Sequence, residues 1–168
     1  MLVIGRDVID AIIEHARRDH PWEACGIVAG AIGSDRPDRW IPMDNVEQST
    51  TFYRFDPTEQ LRVWRELDDR DEEPIVIYHS HTETEAVPSR TDVAIAGYPD
   101  AHYLLVTTRD QDKDEFRSFR IRPVAEGARE KAVDEEPVRV IDASVDPAAV
   151  TTYMFGQVQT NVDYECPA

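Results

Sequence analysis

Apolar residues recur at helical spacing near the start of the chain. Val8, Ile9, Ile12, Ile13 and Ala16 share one face, which predicts an amphipathic helix from Arg6 to about Arg18. Pro21 stops it, since its ring cannot continue a helical ladder. The run from Cys25 to Ala31 (CGIVAGA) is short, apolar and bounded by Gly33, and reads as a buried strand. A loop over 34–37 leads to a second strand from Arg39 to Met43. Asp56 followed by Pro57 is a helix start, with Asp as N-cap and Pro at the first helical position. Leu61, Val63, Trp64 and Leu67 then carry that helix to about Asp69. PIVIY, from Pro74 to Tyr78, is a β-branched run of strand length, and Ser89 is a second N-cap for a short helix to about Gly97. Further strands are predicted from His102 to Thr108, from Glu115 to Arg122 and from Val138 to Ile141.

Strands and helices interleave, yet several strand pairs are separated only by short turns. An α/β fold with a mixed β-sheet flanked by helices fits this better than a purely parallel sheet. Beyond Asp142 the pattern weakens. Residues 143–168 carry few charges but include Val150, Tyr153, Met154, Phe155, Val158 and Tyr164. The expectation is one domain over 1–141 and a C-terminal extension over 142–168 that docks on it, its role open.

Composition narrows the partners. With 168 residues the chain has room for one ordinary domain. A net charge of −16 repels phosphate backbones and anionic lipid, so nucleic acid and membrane surfaces are poor partners. No apolar run approaches the roughly 20 residues that span a bilayer, and MLVIGRDVID lacks a signal pattern. Cys25 and Cys166 are far apart and without CxxC spacing. That excludes a disulfide framework and a cysteine zinc site, and the expected location is the cytoplasm.

The informative stretch is HSHTETEAVPSRTD, from His79 to Asp92. It begins where the PIVIY strand ends. In extended backbone, residues two apart point to the same side, so His79 and His81 can converge on one ion. Asp92 stands three residues after the cap Ser89, in the first turn of the short helix. Two imidazoles and a carboxylate leave a tetrahedral zinc with one open position, which is the catalytic pattern. Zinc brings the pKa of a bound water to about 7. Taken singly, each piece has a plainer reading: an incidental His-x-His, a helix cap, a first-turn acid. Their order after an apolar strand is what makes them informative.

His-x-His, seven residues, Ser, two residues, Asp resembles the JAMM (MPN+) metalloprotease motif without a gap. That family also places a Glu just before an apolar strand, and Glu23 stands in PWEACG. The resemblance covers roughly residues 1–122. It implies a mixed sheet between helices, related to the cytidine deaminases, and one zinc per chain held by His79, His81 and Asp92. It also implies that Glu23 carries a proton from water to the leaving amine and that Ser89 donates to the oxyanion. The segments HARRDHPWEACGIVAG, STTFYRFDP and YHSHTETEAVPSRTD are similar to the bacterial branch that acts on small ubiquitin-like sulfur-carrier proteins ending in Gly-Gly. The implied reaction is hydrolysis after the carrier's C-terminal glycine, releasing cysteine or trimming the carrier. A broader isopeptidase for ubiquitin-like conjugates is the alternative. A zinc-binding module without turnover is a third reading, against which the filled Glu23 and Ser89 positions count. A cysteine hydrolase using Cys25 is a fourth, against which the apolar surroundings of Cys25 count.

The remaining candidates carry plain expectations. His15 and His20 read as surface residues, His102 as structural, Trp64 as core-facing, and Glu83 and Glu85 as solvated. Arg54 is a weak candidate for pairing with a substrate carboxylate.

Overall fold

The computed structural model describes residues 1–142 with their side chains, and the backbone of 150–154 and 157–160. The order is β1 (Leu2–Gly5), α1 (Arg6–Asp19), β2 (Cys25–Ala31), β3 (Arg39–Met43), α2 (Pro57–Asp69), β4 (Glu72–His81) and α3 (Arg90–Ile95). There follow β5 (His102–Thr107), β6 (Glu115–Pro123), β7 (Lys131–Glu136), β8 (Val138–Ile141), β9 (Val150–Met154) and β10 (Gln157–Thr160). A six-stranded sheet runs β3-β2-β4-β5-β6-β7, and a four-stranded one runs β1-β8-β9-β10. In the larger sheet β4 and β5 are parallel and the other neighbours antiparallel, so the sheet is mixed as expected.

Period-two alternation puts helices on both faces. Val28, Val76, Tyr78, Leu104 and Val106 pack with Ile9, Ile12 and Ala16 of α1. Ile27, Ile77, Tyr103, Leu105 and Phe119 pack with Val63 and Leu67 of α2 on the opposite face. The odd positions at the end of β4 therefore continue the α2 face, and His79 and His81 lie on it. Both predicted caps are made. The Asp56 carboxylate accepts from the N–H groups of Thr58 and Glu59. Ser89 closes a reciprocal capping box with Asp92.

Several elements differ from expectation, among them β1, which forms on the short apolar start. β4 runs on to His81 instead of ending at Tyr78, so both histidines belong to the strand. β7 has no apolar signature, because Ala132 to Glu135 are exposed on a sheet edge and nothing selects for alternation there. The C-terminal segment adds β9 and β10 beside β8 in the smaller sheet. Phe155 and Tyr164 lie outside the described residues. Among the described residues no helix is long and apolar enough to cross a membrane.

Candidate metal centre

The end of β4 and the start of α3 build the centre. His79 and His81 share the α2 face, and their Nε2 atoms are 3.3 Å apart. Asp92 projects from the first turn of α3, its Oδ2 3.5 Å from His79 Nε2 and 3.4 Å from His81 Nε2. All three residues are buried, and each offers one ligand atom to a common point. Ligands about 2.0–2.1 Å from a tetrahedral zinc are about 3.3 Å from each other. The triangle therefore has the size of one face of such a tetrahedron, leaving the fourth vertex for another group.

The surroundings orient the three candidate ligands. His81 Nδ1 lies 2.8 Å from the Glu85 carbonyl, to which it donates, so Nε2 is the nitrogen turned toward His79 and Asp92. Asp92 Oδ2 accepts from Ser89 N–H at 2.6 Å, so the capping box also aims the ligand carboxylate. The His79 ring stacks on Tyr53, with centroids 4.4 Å apart and planes 22° from parallel. His79 Nδ1 is buried without a hydrogen-bond partner among the described residues.

Electrostatics separate the roles. Burial works to raise the Asp92 carboxyl, but hydrogen bonds from His79, His81 and Ser89 outweigh it and hold the group well below the usual carboxylate range. Burial lowers His79 against the pull of Asp92. For His81, burial acts downward but Asp92, the Glu85 carbonyl and Glu23 raise it. Glu23, only 4% exposed, is pushed up to about 7, chiefly by burial, with His81 acting downward and Asp92 upward. Its backbone is pinned between Ser49, whose carbonyl accepts from Glu23 N–H at 2.9 Å, and Asn45, whose Nδ2 donates to the Glu23 carbonyl at 2.9 Å. Ser89 is exposed, and its oxygen accepts from Asp92 N–H at 3.2 Å.

All five sequence-derived positions thus gather at one end of β4. Beside them runs a groove of about 220 Å³ lined by Phe52, Tyr53, Phe55, Ile95 and Tyr98. Tyr53 and Asn45 were not foreseen as site residues. Tyr53 sits in the quoted segment STTFYRFDP, whereas nothing in the local pattern marks Asn45, whose side chain bonds Glu23 and Phe52 across a loop. A larger cavity, about 270 Å³, lies at the other end of the sheet against His102 and Arg120, away from this chemistry.

The minor expectations divide. Glu85 is exposed and Trp64 half-buried against the α2-side core, as anticipated. Arg54 pairs with Glu47. His15 is not a surface residue: it is 3% exposed, with Nδ1 2.8 Å from Tyr78 Oη and Nε2 2.9 Å from Asp19. The helical periodicity put His15 next to Ala16, but a polar partner on β4 allows it inside. His20 is half-buried, 3.0 Å from the Thr108 hydroxyl. Cys25 is buried, its thiol raised by burial and directed at the Met43 carbonyl, which removes it as a nucleophile.

Comparison with known proteins agrees with this geometry. Residues 5–122 match the family described as prokaryotic homologs of the JAB domain. The chain is 60% identical over 142 residues to the CysO-cysteine peptidase of Mycobacterium tuberculosis, covering 84% of this chain and 92% of that one. It is 30% identical over 131 residues to the desampylase of Haloferax volcanii, covering 71% and 94%. A solution structure of a protein from Desulfitobacterium hafniense matches with a TM-score of 0.70 at 29% identity, covering 84% of this chain and 94% of that one.

Proposed function

The chain belongs to the prokaryotic homologs of the JAB domain, and we propose that it is a zinc-dependent peptidase acting on a ubiquitin-like sulfur-carrier protein. It hydrolyses the amide bond after the carrier's C-terminal glycine and releases cysteine. The observation that carries this reading is the 60% identity to a relative named CysO-cysteine peptidase, which extends over 84% of this chain and 92% of that one.

His79 Nε2, His81 Nε2 and Asp92 Oδ2 would hold the zinc, which supplies Lewis acidity and a nucleophile at neutral pH. Glu23 accepts the proton lost by the attacking water and returns it to the amine as the C–N bond breaks. In the metal-free chain burial raises its carboxyl toward neutrality, the range in which a group both takes up and gives back a proton. The Ser89 oxygen already accepts from Asp92 N–H, so its own proton remains to donate to the developing oxyanion. The groove beside Tyr53 receives the carrier's glycine tail, which offers little contact area, so most binding energy comes from the carrier's folded body. Residues 1–141 form the catalytic unit and 142–168 an extension.

A second reading, a broader isopeptidase for ubiquitin-like conjugates, is favoured by the desampylase similarity. Intact-mass measurement on three substrates separates the two. The proposal expects cleavage of a carrier–cysteine adduct, little cleavage of a peptide copying only the tail, and little of an isopeptide-linked conjugate. Equal cleavage of peptide and adduct, or cleavage of the conjugate alone, contradicts it.

A further inference from the structure

We infer that Ser80, the residue between the two histidines, is a positioning residue that sets where Glu23 stands; this rests on Glu23 being the proton carrier. β2 and β4 pair antiparallel, with Gly26 opposite Tyr78 and Cys25 opposite His79. One step further brings Ala24 opposite Ser80. In a regular ladder, residues of a hydrogen-bonded pair exchange both N–H···O=C bonds. Ser80 N–H does donate to the Ala24 carbonyl, at 2.9 Å. The return bond is different: Ala24 N–H donates to Ser80 Oγ at 2.8 Å.

The side-chain oxygen has taken the place of the carbonyl oxygen. The ladder therefore closes at Ala24, and the chain leaves the sheet there. The residue that leaves is Glu23, whose N–H and carbonyl are caught by Ser49 and Asn45. Both polar backbone groups of Ala24 are held by Ser80, and both of Glu23 by the turn over 45–49. Ala24 and Ser80 are each 1% exposed, so water does not substitute in these bonds. Ser80 is also covalently joined to His79 and His81. The position of Glu23 is thus referenced directly to the ligand pair, through one short hydrogen-bonded splice.

Removing Oγ leaves a buried N–H that needs an acceptor. The acceptor that ladder geometry offers is the Ser80 carbonyl. Taking it lengthens β2 by a residue and swings Glu23 toward the sheet line, while the fold and both histidines stay in place. A displacement of about 1 Å in such a group costs on the order of 10²-fold in rate.

The test measures Ser80→Ala in wild-type and Glu23→Gln backgrounds, with the carrier–cysteine adduct under steady-state conditions. Expected are a 10- to 100-fold lower kcat, an unchanged KM, wild-type zinc content, partial rescue by Ser80→Thr, and no further loss in the Glu23→Gln background. Should Ser80→Ala not fold, Ser80→Cys keeps the size, weakens the acceptor and carries the same expectations at smaller amplitude. Wild-type kcat in these variants, loss of zinc, or an equal fold-loss in both backgrounds overturns the inference. Full activity of Glu23→Gln alone would instead overturn the role assigned to Glu23.

Discussion

Two buried histidine–carboxylate clusters sit at opposite ends of the parallel pair β4 and β5. At one end, where Val76 pairs with His102, Glu136 accepts from His102 Nδ1 and from Ser118 Oγ. Its other oxygen lies 2.8 Å from the Met1 amino group and 3.4 Å from Arg120 Nε. Burial acts to raise Glu136, but His102, the amino group and Ser118 outweigh it and hold it at about 2. At the other end, two imidazole nitrogens and a carboxylate oxygen face one another at 3.3–3.5 Å, and Glu23 stands at about 7. Both clusters pair histidine with acid in the interior. They differ in what meets the acid: Glu136 faces an ammonium and a guanidinium, whereas Asp92 faces two imidazole nitrogens. A buried His and carboxylate do not by themselves mark a site; donor atoms convergent on one point, beside an acid that burial raises, mark a candidate one.

That contrast sets the expected effects. Glu23→Gln should lower turnover by about 10²–10⁴-fold while zinc is retained, because on the proposed roles it removes a proton carrier and no ligand. His102→Gln, by contrast, should leave kcat within about twofold and lower the melting temperature, since it breaks a matched structural pair. Steady-state kinetics beside thermal unfolding checks both, and loss of kcat in His102→Gln would erase the distinction. Ser89→Ala should cost about 10²–10³ in kcat if its hydroxyl serves the oxyanion. A further loss of about 1 kcal/mol in stability should follow from the missing cap. An unchanged kcat with that stability loss would return Ser89 to a purely capping role.

Stability against pH should show the two acids with opposite signs. The folded pKa of Glu23 is raised from 4.5 to about 7. Its contribution in chelated, metal-free protein is therefore full below pH 4.5 and is lost as pH rises through 7, by about 3 kcal/mol. Glu136 is lowered from 4.5 to about 2. Its contribution is present above pH 4.5 and is lost as pH falls toward 2, by a similar amount. Denaturant unfolding of metal-free protein from pH 3 to 8 should show the upper slope vanish in Glu23→Gln and persist in Glu136→Gln. The smallest effect concerns the surface. With a charge of −16, carrier binding should weaken as salt rises, through KM with little change in kcat.

Local signals explain what the sequence reveals and what it hides. Strict spacing made His79, His81, Ser89 and Asp92 legible, because a strand end and a capped helix place residues by rule. Glu23 needed the resemblance, since nothing local distinguishes it from a solvated acid. Its backbone is held by Ser49 and Asn45 across a loop, which no local pattern announces. No local pattern singles out Ser80, whose hydrogen bond from Ala24 N–H joins residues 56 positions apart. The burial of His15 is hidden for a similar reason: its partners Tyr78 and Trp40 come from strands distant in the chain. The charged edge strand β7 has no apolar pattern to read at all.

Metal content tests the comparison most directly. Protein purified without chelator should carry about one zinc per chain by elemental analysis. His79→Ala and Asp92→Asn should each deplete it, while His102→Gln should keep it in full. Full retention of zinc in both His79→Ala and Asp92→Asn, or its loss in His102→Gln, would contradict the account.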